Sequence, residues 1–115
     1  MLRAPLASPG AELRRLMAAG TVVAPGVYDG LSAVSASSAG AQALYLSGGA
    51  LTNSLLGVPD IAIGTLTEFA AAAARITAVA GVPVLSDSDT GFGGATNTFR
   101  TVIEMERAGL AGIHL

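Results

Sequence analysis

The chain reads as an α/β protein in which helices and strands alternate around a parallel sheet, and two patterns in its 115 residues predict this. Ala-Gly pairs ending at Gly20, Gly40, Gly81 and Gly109 each close a helical pattern, and each is followed within a few residues by a short apolar run. Glycine suits the position just past a helix, because the left-handed backbone there costs a residue without Cβ little. The runs themselves are short and mostly apolar, as in strands buried on both faces of a sheet. Strands that alternate with helices imply right-handed βαβ units.

The elements follow in order. Leu13, Leu16 and Met17 share one face of a first helix, and Val22 to Ala24 form a first strand. Asp29, ahead of Gly30 and Leu31, is most simply the N-cap of a second helix whose shared face carries Leu31 and Val34. A second strand spans Ala43 to Leu46, and Ser47, Gly48 and Gly49 lead from it into a short helix. Thr65 and Glu68 have capping-box spacing and start the third long helix, with Phe69 and Ile76 on one face. Val84 to Ser86 make the third strand. Phe99, Val102 and Ile103, with Glu106 at the edge, form a face of the last helix, and Gly112 to Leu115 make the fourth strand.

A closed barrel of eight such units takes roughly 250 residues, so four strands predict a partial (β/α)8 barrel that ends early. Its two open edges call for cover by another chain or by the missing half.

Composition narrows the function. With 51% hydrophobic and 12% charged residues and 15 glycines, the chain fits a soluble, turn-rich α/β segment rather than a disordered or fibrous one. A net charge of -2 and six scattered basic residues leave no basic stripe, which argues against nucleic acid as a partner. The N-terminus MLRAPLASPGAELRR lacks the apolar core of an export signal, so a cytoplasmic location is expected. The most apolar stretch, Phe69 to Leu85, is broken by Arg75, Gly81 and Pro83 and reads as a core helix followed by a strand, with no membrane span expected. There is no cysteine, which excludes disulfides, thiolate metal sites and a thiol nucleophile within these residues.

In parallel β/α folds the loops at the carboxyl ends of the strands share one crevice, and catalytic groups gather there. Every complete strand end here is polar: Tyr28 and Asp29 after the first, Ser47-Gly48-Gly49 after the second, and Asp87-Ser88-Asp89-Thr90-Gly91 after the third. Two carboxylates one residue apart can turn toward one hard cation, which relieves their repulsion. Oxygen ligands without His or Cys favour magnesium, or manganese, over zinc. An isolated Asp-x-Asp is more often a turn cap beside a solvent-facing acid, but the Thr-Gly-Phe-Gly-Gly tail allows close backbone approach to a ligand ahead of a helix. A calcium loop counted from Asp87 fails at Gly91, Phe92 and Thr98, and a dinucleotide fingerprint fails where Thr96 replaces the third glycine.

Ser47, Gly48 and Gly49 offer backbone N–H groups and a hydroxyl, a nest for a carboxylate or phosphate or simply a structural corner. Asp60 reads as a helix cap, a loop anchor or a supporting acid. His114 reads as a hydrogen-bonded structural imidazole, and Tyr28 and Tyr45 as packing residues with a polar tip.

With the strand ends placed, the sequence resembles the isocitrate lyase and phosphoenolpyruvate mutase superfamily, and most closely its methylisocitrate-lyase-like members. The resemblance is carried by APGVYDGLSA at Ala24 to Ala33, ALYLSGGALTNSLLGVPD at Ala43 to Asp60, DSDTGFGGATNTFRTV from Asp87, and AGLAGIHL at the end. It implies that residues 1–115 are the N-terminal half of a TIM-like barrel domain, truncated at the C-terminus. It further implies that Tyr45, Ser47, Gly48, Gly49 and Asp60 bind a small carboxylate substrate, and that Asp87 and Asp89 hold Mg2+, with Mn2+ as an alternative. Thr90, Phe92 and Gly94 tilt the resemblance toward carbon-carbon lyases, and the full-length family implies a homo-oligomer.

Ser88 departs from the family's small apolar residue. The family's Glu-Asp pair after the fourth strand and its Lys-Lys-Cys-Gly-His loop, which carries the cysteine acid, would fall past Leu115. The resemblance therefore implies cleavage of a 2-hydroxy tricarboxylate by an intact enzyme and little or no turnover by this chain alone. Phosphonomutase and oxaloacetate-processing relatives, and a non-enzymatic barrel fragment, stay open beside that reading.

Overall fold

Short apolar runs reach a sheet only by pairing their backbone groups, and in the computed structural model, which describes residues 2–115, they pair in sequence order. The elements are α1 (Pro9–Ala19), β1 (Gly26–Val27), α2 (Gly30–Ser38), β2 (Leu44–Leu46), α3 (Gly48–Leu56), α4 (Leu66–Ala80), β3 (Val84–Asp87), α5 (Ala95–Arg107) and β4 (Gly112–His114). The four strands lie in the order β1-β2-β3-β4 and all pairs are parallel. Strand order that never reverses is the order of a β/α barrel; a doubly wound sheet reverses at its switch point.

The first strand lies later than the sequence predicts. Val22 to Ala24 run outside the ladder with Val23 77% exposed, and pairing begins at Gly26, opposite Tyr45. The shift follows from where β2 finds acceptors: the Tyr45 N–H donates to Pro25 O and the Ser47 N–H to Val27 O, each at 3.0 Å. The other three strands match within a residue at each end.

Burial along the strands alternates, which corrects the expectation of a sheet buried on both faces. Val27, Leu44, Leu46 and Val84 are buried in a core with Phe69, Ala72, Ala73, Ile76 and Ala80 of α4. The opposite face carries Tyr45, Leu85, Asp87 and His114, which are half-buried or exposed.

Two helices present a different face from the one their large apolar residues suggest. In α2 Leu31 is 76% exposed and Val34 is exposed, while Ala33 is buried, because α2 packs against the alanine-rich α4 and only small side chains let the two backbones approach. In α5 Phe99 and Val102 are exposed, and Thr101 and Met105 are buried instead. A threonine tolerates that position because its hydroxyl is satisfied, with acceptors at Gly91 O (2.8 Å) and Asn97 O (3.0 Å). In α1 Leu13 is buried and Met17 is exposed.

Helix α1 lines a groove with Ala41, Gln42, Val82 and Pro83, the residues leading into β2 and β3, and so sits at the amino end of the sheet. The carboxyl end is left to the loops. Helix starts there are well built: Asp29 caps α2 and Thr65 caps α4, each in a reciprocal capping box. At the far end of α4 Gly81 takes the left-handed conformation (φ +68°) anticipated for an Ala-Gly stop. Among the described residues no helix is long and apolar enough to cross a membrane.

Candidate functional site

The site begins with a property of α3, whose first residues follow β2 without a linker. Ser47 is its N-cap and accepts from the Ala50 N–H at 3.3 Å, leaving the N–H groups of Gly48 and Gly49 without an intrahelical acceptor. A side chain at either position would crowd a carboxylate, more severely at Gly48. A methyl group on Gly48 would lie 2.6 Å from Asp87 Oδ2, and one on Gly49 would lie 3.1 Å from Asp60 Oδ2. Two carboxylates from different loops thus close over the N-terminus of one helix, where its dipole favours negative charge.

The third strand delivers the other acid. Asp87 ends β3, and its Oδ1 accepts from the Asp89 N–H at 3.2 Å. Asp89 itself holds a left-handed backbone (φ +47°), and so does Phe92 (φ +59°), two uncommon conformations within one short loop. Burial, and after it the negative charges of Asp87 and then Asp60, push the Asp89 carboxyl above its ordinary pKa. The charges acting on it are both negative, the crowding a bound cation would relieve.

Tyr45 lies on the same sheet face as Asp87. Its phenol pKa is raised by burial and, secondarily, by the charge of Asp87. Its hydroxyl is 3.2 Å from His114 Nδ1. His114, placed opposite Asp87 in the ladder, is exposed, and the hydrogen-bonded imidazole read from the sequence has a candidate site residue, Tyr45, as its partner.

Of the residues singled out in the sequence, Gly48 and Gly49 meet Asp87 and Asp60, Asp89 lies within reach of both acids' charges, and Tyr45 is near Asp87. Ser47 turns its hydroxyl to the helix cap. Asp29 is occupied by the Ser32 N–H at 2.7 Å and stands outside this group as the cap it was read to be. Among the described residues no three His, Cys, Asp or Glu side chains converge in a way that could hold a metal ion by themselves. Asp87 and Asp89 fit a hard cation as an oxygen-only pair that supplies part of its coordination.

Sequence reasoning missed what lies beneath the loops. Phe69 packs edge-on against Phe92, with ring centroids 4.9 Å apart and planes at 63°. A signal was available: the capping box puts Phe69 in the first turn of α4, the turn nearest the carboxyl ends of the strands. Ser88, between the two acids, is fully buried with its hydroxyl unpaired.

The family model described as phosphoenolpyruvate phosphomutase matches residues 13–115. The chain is 50% identical over 116 aligned residues to the 2-methylisocitrate lyase of Aeropyrum pernix, an alignment that takes in 100% of this chain and 37% of that protein. Among solved structures it is similar to oxaloacetate acetylhydrolase in complex with the product oxalate, with a TM-score of 0.90, 40% identity, and coverage of 97% of this chain and 40% of that one. It is also similar to phosphonopyruvate hydrolase in complex with oxalate and Mg2+, with a TM-score of 0.86, 30% identity, and coverage of 92% and 38%. The chain thus spans well under half the length of the proteins it matches.

Proposed function

Because this chain belongs to the phosphoenolpyruvate phosphomutase family, we propose that it supplies the metal- and carboxylate-binding end of a magnesium-dependent carbon-carbon lyase. The proposed reaction is cleavage of 2-methylisocitrate, or a related 2-hydroxy tricarboxylate, to pyruvate and succinate. In this reading residues 1–115 are part of one barrel domain. The observation that carries the proposal is the seating of Asp87 against Gly48, which joins a carboxylate pair suited to a hard cation to a helix N-terminus suited to a carboxylate. Identity to a 2-methylisocitrate lyase over the whole chain supports the choice of substrate.

Asp87 and Asp89 would hold the cation. When bound, magnesium supplies a Lewis acid that stabilises negative charge on the oxygen and carboxylate of the pyruvate half. The N–H groups of Gly48 and Gly49 bind a substrate carboxylate, and Asp60 bounds that pocket from the far side of Gly49. Tyr45, a phenol protonated at neutral pH, presents a hydroxyl to the substrate beside Asp87 while His114 fixes its orientation. In the cleavage the substrate hydroxyl loses its proton, the carbon-carbon pair of electrons passes to the succinate carbon, and that carbon takes up a proton. None of the 115 residues is a cysteine, so no thiol of this chain delivers that proton.

Titrating the 15N-labelled chain with magnesium and oxalate tests the site. The amides of Gly48, Gly49 and Asp89 are expected to shift, and Asp87→Asn is expected to weaken the effect by about tenfold or more, the loss of a direct charged contact. Shifts elsewhere only, or equal affinity in the variant, would sink the proposal. Likeness to oxaloacetate acetylhydrolase favours a second reading, action on oxaloacetate. Tighter binding of oxaloacetate than of 2-methylisocitrate at the same amides would select it.

A further inference from the structure

We infer that Phe69 is a positioning residue for this site: one buried ring that sets the mutual placement of the three segments from which the site is built. The inference rests on the functional reading above for the meaning of the site, but its geometry stands independently.

Phe69 is 2% exposed and belongs to α4, an element that supplies none of the candidate ligands. Its ring nonetheless reaches all three segments. On one side, a methyl group added to Gly48 would lie 3.3 Å from Phe69 Cε1, so the ring supports the N-terminus of α3 directly under the point where Asp87 seats. On another, a methyl group on Gly64 would lie 2.7 Å from Phe69 Cε2, which fixes the end of the segment that begins at Asp60. The third contact is the edge-on packing with Phe92, three residues beyond Asp89.

The segments also touch one another, Asp87 against Gly48 and Asp60 against Gly49, but Phe69 is the side chain that contacts all three. Phe92 sits at φ +59° and Ala62, between Asp60 and Gly64, at φ +56°, conformations that persist only where the surroundings enforce them. A rigid aromatic ring is suited to this work because it has two side-chain torsions and contacts neighbours on both faces and along its edge. The Asp87–Gly94 loop has further anchors in the Ser88 N–H on His114 O and the Thr101 hydroxyl on Gly91 O, neither of which touches the other two segments. Phe69 is thus the common support, and Thr101 a private one.

The two roles differ in what a substitution should disturb. Phe69→Leu keeps an apolar side chain but removes the edge contacts, and is expected to raise exchange of the hydrogen-bonded amides of Leu51, Thr65 and Gly91, one in each segment, by about tenfold beyond the change set by global stability. Its affinity for magnesium with oxalate should fall in parallel. Ile76→Val, two turns further along α4 in the same core, is the control for lost packing alone and should leave the three segments within the global change. Thr101→Val should release only the Gly91 amide. If Phe69→Leu does not fold, Phe69→Met takes its place as the variant closer in volume. Faster exchange in all three segments beyond the global change supports the inference. Faster exchange in only one segment, a uniform rise that tracks stability, or a matching response in Ile76→Val overturns it. Exchange is read without any ligand, so a chain that fails to bind magnesium and oxalate would count against the proposed function and leave the Phe69 result standing on its own.

Discussion

Two residues of the acidic loop are under strain of different kinds. Ser88 is fully buried with an unpaired hydroxyl, and a buried polar group without a partner carries its desolvation cost. Ser88→Ala is expected to stabilise the chain by about 1–3 kcal/mol, read as a higher urea midpoint at unchanged slope. Asp89 is strained electrostatically, since its folded pKa is raised by burial and by Asp87 and Asp60. Between its unfolded and its raised folded pKa the native state binds more protons, so stability falls as pH rises through that window. Asp89→Asn should therefore be more stable than the parent at neutral pH, with an advantage that shrinks as pH falls toward the ordinary carboxylate range. Urea titrations at several pH values would measure this, and a constant difference would show that the backbone preference of asparagine, not charge, is responsible. Neither effect was legible beforehand: Asp87, Ser88 and Asp89 stand out in the sequence, but burial and neighbouring charge belong to the fold.

At the scale of elements, the helix starts were the best-determined features. Thr65 and Glu68 satisfy each other's backbone groups, with the Glu68 carboxylate accepting from the Thr65 N–H at 2.8 Å. Thr65→Ala should cost about 1 kcal/mol, seen as a lower melting temperature with fraying at the start of α4. The Thr65 backbone N–H, and then its hydroxyl, hold the Glu68 carboxyl below its ordinary pKa. That contribution is present above the unfolded carboxylate pKa and is lost as pH falls through the lower folded value. Caps are local, which is why three-residue spacings sufficed to place them. Helix faces are not local. Leu31 and Phe99 were read as inward because they are large, whereas α2 and α5 turn Ala33 and Thr101 to their neighbours, and only the opposing surfaces of α4 and of the Gly91 loop make those small residues the better fit.

At the scale of the molecule, four parallel strands bring the loops after β1, β2 and β3 to one side of the sheet, and among the described residues the acids there do not complete a metal site by themselves. Magnesium alone is accordingly expected to bind the 115-residue chain more weakly than micromolar, and calorimetry that returned micromolar affinity would contradict this. The sequence by itself determined the β/α alternation, three of the four strands to within a residue at each end, the caps at Asp29 and Thr65, and the family resemblance carried by the blocks from Ala24, Ala43 and Asp87 and the final AGLAGIHL. These are short-range patterns, set by backbone hydrogen bonding and by the periodicity of apolar residues, and they can be read within a few positions. Tertiary structure alone decided that β1 begins at Gly26, that Tyr45 meets His114 across the sheet, that Asp87 and Asp60 close over Gly48 and Gly49, and that Phe69 lies beneath Gly48, Gly64 and Phe92. Apart from Phe69 and Gly64, which are near neighbours, those contacts join residues well separated in the chain, and no local propensity encodes a distance that exists only once the sheet has formed.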